Sequence, residues 1–256
     1  MASIVSSALK RKMTSETKVC TNEHMQNKCK ASFIEKARFS VVSGAAMAKK
    51  ENSPSSGDCH STMEIKDGQI ILALSDAMGS GRKARAESEA AMSLLENFIE
   101  AGFSKELALR LINSVLVLKS GEESFSTMDI CGIDLHSGQA EFIKIGAAAT
   151  YIKRETNVLQ IVSESLPMGI LNHVDLEASH KKLKNGDSIV MVTDGVSDAG
   201  ENSTEQSWVA LALEEFSGAN PQDMADYLLN LAINRSNEHI GDDMTVLCAI
   251  VQEKHR

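Results

Sequence analysis

Aspartate recurs beside turn residues at the ends of apolar runs. The instances are Ser56-Gly57-Asp58, Ser75-Asp76-Ala77-Met78-Gly79, Thr193-Asp194-Gly195 and Gly241-Asp242-Asp243-Met244-Thr245. Taken singly each is ordinary turn chemistry, because the carboxylate bonds nearby backbone amides. Jointly they say more. Asp76 and Asp194 follow the runs Ile70 to Leu74 and Ile189 to Val192, while Asp58 and Asp242 each open a strand-like run. All four would therefore emerge at sheet edges. Four carboxylates gathered at one rim repel one another unless cations sit between them. Hard oxygen donors in that number suit Mg²⁺ or Mn²⁺, with water completing an octahedral shell. Two such ions bridged by one carboxylate can activate a water and clamp a phosphoryl group.

Competing signatures are missing or incomplete. There is no G-x-x-x-x-G-K-[ST] loop, and Gly79-Ser80-Gly81 lacks the third glycine of a dinucleotide fingerprint. Neither a G-x-S-x-G elbow nor H-E-x-x-H occurs. Cys20, His24 and Cys29 can be drawn as a zinc site, but a fourth ligand and finger spacing are lacking, so reduced thiols are expected. Cys59, Cys131 and Cys248 sit in strand-like runs and read as small buried hydrophobes. His60, His136, His173, His180 and His239 fall in unrelated turns and strands and read as solvated. Ser126-Thr127-Met128-Asp129 lies in a strand that could back the aspartates, with a structural role at least as fitting.

The elements that must position the aspartates are legible from periodicity. Residues 1–36 are polar with little periodicity and are expected to be a helical or disordered lead-in; residues 37–256 form the domain. Strand patterns run over Arg38 to Ala48, Asp58 to Ile65 and Gln69 to Ser75, the last two joined by the hairpin signal Lys66-Asp67-Gly68. Helical spacing then places Ala91, Leu94, Leu95, Phe98 and Ile99 on one face of Ala84 to Ile99, with Ser80 as N-cap and Gly102 as stop. A second helix, Lys105 to Lys119, would bury Leu107, Leu111, Ile112, Val115 and Leu118. Six strands follow: Phe125 to Leu135, Gln139 to Ile145, Ala148 to Arg154, Val158 to Ser163, Asp175 to Leu183 and Ser188 to Thr193. Helices near Gln206 to Phe216 and Pro221 to Asn234 and a final strand, Met244 to Val251, close the chain. This order is not a βαβ alternation. It predicts an α/β (α+β) fold, an antiparallel β-sandwich flanked by helix pairs, in one domain.

Composition agrees. The chain has 256 residues and a net charge of −9 with no basic block, which argues against gripping nucleic acid. No apolar run reaches the ~20 residues that cross a bilayer, and the first twelve residues lack the apolar core of a secretory signal. The expectation is a soluble, cytoplasmic chain with no membrane segment.

The order of motifs resembles the metal-dependent protein phosphatases of the PPM family (protein phosphatase type 2C). Within it the resemblance is to the bacterial branch containing the phosphatase domain of stage II sporulation protein E. It runs from about Arg38 to Val251 and rests on the four aspartate segments together with Leu166-Pro167-Met168-Gly169-Ile170. The resemblance implies an αββα fold and two Mn²⁺ or Mg²⁺ ions. Asp76 would bridge them, Asp58 and the Ala77 carbonyl would hold one, and Asp194 and Asp242 the other. Asp243 would support the ligands from behind. The nucleophile would be a metal-activated water, with no phosphoenzyme. Two departures stand out: Ala77 replaces a usual glycine, and Met78 replaces a histidine that serves eukaryotic relatives as a proposed proton donor. No residue matches their phosphate-gripping arginine, and the leaving-group acid is unassigned. The implied activity is hydrolysis of phosphoserine or phosphothreonine in a protein. The implied substrate is a phosphorylated STAS-type anti-anti-sigma factor, acting in sporulation or stress control of sigma factors. A catalytically weak scaffold and a small-phosphoester hydrolase are the alternatives. A homodimer is the candidate assembly, and a longer membrane-tethered parent stays open.

Overall fold

The computed structural model describes residues 1–21, 28–65, 68–79, 81–119, 125–172, 174, 176–200 and 207–254. Its elements are α1 (Ala2–Leu9), β1 (Met13–Thr21), β2 (Lys28–Glu35), β3 (Phe39–Ala48), β4 (Cys59–Ile65), β5 (Gln69–Ser75), α2 (Arg82–Glu100) and α3 (Lys105–Lys119). They continue with β6 (Met128–Asp134), β7 (Gln139–Ile145), β8 (Thr150–Arg154), β9 (Asn157–Ile161), β10 (Ala178–Lys182), β11 (Ser188–Val192), α4 (Asp194–Ser197), α5 (Trp208–Glu215), α6 (Pro221–Arg235) and β12 (Met244–Glu253). Ser80, His24, His173 and the Lys66-Asp67 part of the hairpin signal lie outside the described residues, as do the side chains of Cys20 and Cys29. No described helix is long and apolar enough to cross a membrane.

Two five-stranded antiparallel sheets, ordered β10-β7-β6-β5-β4 and β3-β12-β11-β8-β9, stack face to face. Helices α2 and α3 cover the first sheet and α5 and α6 the second, which gives the expected αββα sandwich. Each central strand is covered on both faces, so its residues alternate between two apolar layers rather than between core and water. In β5, Ile70, Leu72 and Leu74 enter the layer between the sheets, while Ile71 and Ala73 meet the α2–α3 side. In β12, Leu247, Ala249 and Val251 face the inter-sheet layer, and Val246 and Cys248 face α5 and α6.

The inward-facing row changes character at one end. Continuing the period of two, Leu74 is followed by Asp76, Cys131 is preceded by Asp129, and Phe142 is followed by Lys144. Likewise Ile152 is preceded by Thr150, Met191 is followed by Thr193, and Leu247 is preceded by Thr245. Asp129, Lys144, Thr150, Thr193 and Thr245 are all buried. Six strands thus turn polar at one level, and that level is the rim carrying the candidate site.

Some expectations need correction. Strand β6 starts at Met128 rather than Phe125, because Ser126 leaves the ladder for isolated bridges to Ala77 and Met168. The strands expected at Val158 to Ser163 and Asp175 to Leu183 are shorter, as β9 and β10. The buried face of α3 is Ala108, Leu109, Ile112 and Leu116, with Leu107 and Leu118 exposed. Apolar residues at 107 to 109, 111 and 112 support two overlapping stripes, and small Ala108 lets the helix settle on the second. The lead-in contains α1 and also an antiparallel hairpin, β1 with β2.

Helix α6 is tied to the edge of the second sheet. Asn220 caps it by accepting from the Gln222 amide, with Pro221 in the first turn. The Gln222 side chain then accepts from the Ala45 N–H (3.1 Å) and donates to the Ala45 carbonyl (2.9 Å) of edge strand β3.

Candidate metal centre

The five aspartates come together at the polar rim. Asp58, just before β4, is completely buried. Its Oδ2 accepts from the hydroxyls of Thr193 (3.0 Å) and Thr245 (2.6 Å), which arrive from the opposite sheet. Its Oδ1 has no hydrogen-bond partner in the protein. Asp76 is half-buried at the end of β5, and Asp194, at the first turn of α4, and Asp242, before β12, are exposed. The set therefore forms a path from the interior to solvent.

Backbone contacts fix these positions. Thr127 brackets Asp76 from the neighbouring strand: its Oγ1 accepts from the Asp76 N–H (3.1 Å) and its own N–H donates to the Asp76 carbonyl (2.7 Å). The Ala77–Ser126 bridge is made by residues on either side of Ala77, including Met78 N–H to the Phe125 carbonyl (2.9 Å). That leaves the Ala77 carbonyl turned toward the Gly57 turn, where a Cβ on Gly57 would sit 3.4 Å from it and 3.0 Å from the Ala84 Cβ. Ala77 is not among the residues with positive φ, so its Cβ costs nothing and the carbonyl is presented as a glycine would present it. Met78 is exposed and brings no proton donor.

Asp243 is buried, and its role is visible in its contacts. Its two oxygens accept from the Lys50 and Gly57 amides, each at 2.7 Å, which clamps the turn carrying Asp58. Gly195 packs against the same segment so closely that a Cβ there would fall 2.1 Å from the Asp243 carbonyl. The glycine after Asp194 is thus a requirement of close approach.

Electrostatics report crowding. Burial, then repulsion from Asp58 and Asp194, pushes the Asp76 carboxyl up to about 9, with Asp242 adding to it. Asp58 is raised to about 6, chiefly by burial and against the two threonine hydroxyls. Asp194 is raised by burial and by Asp242. Asp58 and Asp194 thus crowd Asp76, whose carboxyl is raised further than that of Asp58.

Sequence reasoning named Thr127 only as part of a strand that could back the aspartates, and it missed Thr193 and Thr245, whose only signal was the period of two. It also missed Asn113, buried on α3, which donates to the Leu171 carbonyl and accepts from the Gly169 N–H, each at 2.9 Å. That loop bridges through Met168 to Ser126 and so to Ala77. Arg85 of α2 reaches the Asp58 carbonyl (3.4 Å) while paired with Glu89. Of the histidines, His180 and His239 are exposed as expected, whereas His60 and His136 are half-buried and outside the site.

A family model described as Stage II sporulation protein E matches residues 66–252. The chain belongs to the stage II sporulation protein E family. It is 33% identical over 231 residues to Stage II sporulation protein E of Priestia megaterium, covering 90% of this chain and 40% of that protein. Against the Bacillus subtilis (strain 168) protein of the same name it is 35% identical over 210 residues, covering 82% of this chain and 25% of that protein. The chain therefore spans less than half the length of either relative. Among solved structures, the PP2C phosphatase domain of SpoIIE from Bacillus subtilis, with a fragment of its regulatory domain, superposes with a TM-score of 0.85 at 31% identity. That match covers 100% of this chain and 74% of the other. The fold is that of PP2C phosphatase domains.

Proposed function

We propose that this chain is a divalent-metal-dependent phosphoserine/phosphothreonine protein phosphatase, with residues 37–256 as the phosphatase domain and 1–36 as its lead-in. The observation that carries this is Asp58. A fully buried carboxylate with one oxygen held by two threonines, and the other unpartnered in the same crowded cluster as Asp76, is costly unless a cation completes it.

The residues fit such ions. Among the described residues no group of three acidic, histidine or cysteine side chains is placed to hold a metal ion. Magnesium-type ions do not need such a group, since they keep several waters and take one or two carboxylates. Asp58, Asp76 and the Ala77 carbonyl would hold one ion; Asp76, Asp194 and Asp242 the other. Bound there, Mn²⁺ or Mg²⁺ would supply Lewis-acid activation of water and clamp the phosphoryl group. The chain's own part is positional. Thr193 and Thr245 orient Asp58, Asp243 fixes its turn, and Thr127 fixes the Asp76 backbone. Asp76 must release its proton for the site to load.

A protein substrate is favoured over a small phosphoester by the surroundings. From Asp242 a groove of about 890 Å³ runs past Gly195, Asp198, Arg235 and His239, room for a polypeptide segment rather than a single ester. By family likeness that polypeptide is a phosphorylated STAS-type anti-anti-sigma factor, encountered in the cytoplasm. The test is turnover with Mn²⁺, with and without chelator, on such a phosphoprotein and on nitrophenyl phosphate. Chelator-sensitive preference for the phosphoprotein is expected. Equal or greater efficiency on the small ester would replace the reading with a general phosphoesterase, and binding without turnover would replace it with a scaffold.

A further inference from the structure

Behind the aspartates lies a buried ion pair that the proposed chemistry does not use. Asp129 of β6 and Lys144 of β7 are directly opposed across the ladder, and both are almost wholly inaccessible. The Lys144 ammonium donates to Asp129 Oδ2 (2.5 Å) and to Thr150 Oγ1 (2.8 Å), and the Thr150 hydroxyl also bonds Asp129 Oδ2. Thr150 comes from the opposite sheet, so the trio bridges the sandwich.

Such a pair is a poor way to gain stability. Desolvation offsets the attraction, and apolar residues of the same volume usually serve as well or better. The next inward positions on the same strands, Cys131 and Phe142, show that apolar residues fit this layer. The arrangement is also lopsided. Both bonds to Asp129 converge on Oδ2, and Oδ1, although buried, has no partner in the protein. Asp129 lines a cavity of about 20 Å³ whose wall also includes Asp76, Asp194, Thr127 and Thr193. That volume exceeds the ~10–15 Å³ that one water requires, and the wall supplies the polar partners it needs. Carboxylate oxygens facing each other cannot satisfy one another once ionised. A water can, by donating one proton to each side.

We propose that Asp129, held by Lys144 and Thr150, is a positioning residue: through one water in this cavity it orients the carboxylates of Asp76 and Asp194. This rests on the reading of those aspartates as metal ligands. The tie is also mechanical, since Asp129 pairs with Leu74, two residues before Asp76, and Thr127, which leads into the same strand, grips the Asp76 backbone.

The test measures Mn²⁺ binding to the full chain by electron paramagnetic resonance without substrate, alongside metal-free thermal melting. Asp129→Asn keeps the shape but turns its amide N–H₂ toward the cavity, because Lys144 takes the remaining oxygen. Asp129→Leu with Lys144→Met removes the pair at similar volume. Both variants are expected to bind Mn²⁺ roughly 10–100-fold more weakly, the usual cost of losing a group that orients a ligand. Variants that melt lower yet bind Mn²⁺ as the parent does would overturn the proposal and leave the pair as packing. If the double variant does not fold, Asp129→Asn decides alone. A parent chain that binds no Mn²⁺ would overturn both this inference and the phosphatase reading, whereas a binding parent with unaltered variants overturns only this one.

Discussion

The two ends of the inter-sheet layer are built by the same strands on the same alternation, yet they do opposite things. At one end Leu72, Cys131, Phe142, Met191 and Leu247 close into an apolar interior. At the other, Asp76, Asp129, Lys144, Thr193 and Thr245 continue the same inward row. Backbone geometry does not distinguish the ends; side-chain chemistry does. The apolar end supplies burial, which stabilises at roughly 25 cal/mol per Å². The polar end concentrates buried carboxylates, which oppose folding unless their charge is neutralised. Stability and activity are thus separable along one set of strands.

The sharpest break is Asp76→Asn. It is expected to lower phosphatase turnover at saturating Mn²⁺ by more than the ~100-fold that the strongest ligand-orienting changes cause. Metal-free melting at neutral pH should rise, since the Asp76 carboxyl, near 9 when folded, must take up a proton on folding that asparagine does not need. Undiminished turnover would sink the bridging assignment. At the other end, Phe142→Ala should cost about 3–5 kcal/mol in denaturant unfolding, with Mn²⁺ affinity of the folded molecules unchanged. A large shift in that affinity would show that the ends are coupled after all.

Asp243→Asn tests the boundary between the two. It replaces a carboxylate that accepts two backbone amides by a group with one acceptor. A loss of about 1–3 kcal/mol is expected, together with a raised Mn²⁺ requirement as the Asp58 turn loosens. The pH dependence sharpens the contrast further. Asp76 and Asp58 are raised from 3.8 to about 9 and about 6, so the folded metal-free chain binds more protons than the unfolded one between those values. Their contribution to stability is complete below pH 3.8 and is lost as pH rises toward 9. Metal-free protein should therefore melt lower at pH 8.5 than at pH 6.5, and saturating Mn²⁺ should remove or reverse that slope. The smallest effect is expected of Ala77→Gly: with an ordinary φ at Ala77 there is no strain to relieve, so activity persists and stability falls by up to about 1 kcal/mol.

Much of this was legible in the sequence, for a physical reason. Aspartates at strand ends and runs of period two are local signals, and they placed the sandwich and its rim. What sequence reading lacked was the partner of each side chain. Counting back by two from Leu247 through Thr245 would have put Asp243 inside, but not shown that it grips Gly57 across 186 positions of chain. The φ of Ala77 depends on its bridge to Ser126, a contact between segments, and so was not readable from Ala77 and its neighbours. The α3 register failed because two apolar stripes were equally available and the sheet chose between them. The β1–β2 hairpin was missed because Lys28–Glu35 alternates charged and apolar residues too weakly to stand out from a polar lead-in.

The Gln222 amide on Ala45 has a consequence for how these molecules meet one another. An outermost strand ordinarily offers its free N–H and C=O groups to any extended chain that drifts by, the first step of edge-to-edge aggregation. Gln222 occupies both groups of Ala45 midway along β3, imitating one residue of a neighbouring strand. Another chain cannot zip along that border without first prising a side chain loose. Strand exchange between copies is thereby discouraged at β3, and any association by added strands is steered to the borders at β9, β4 or β10.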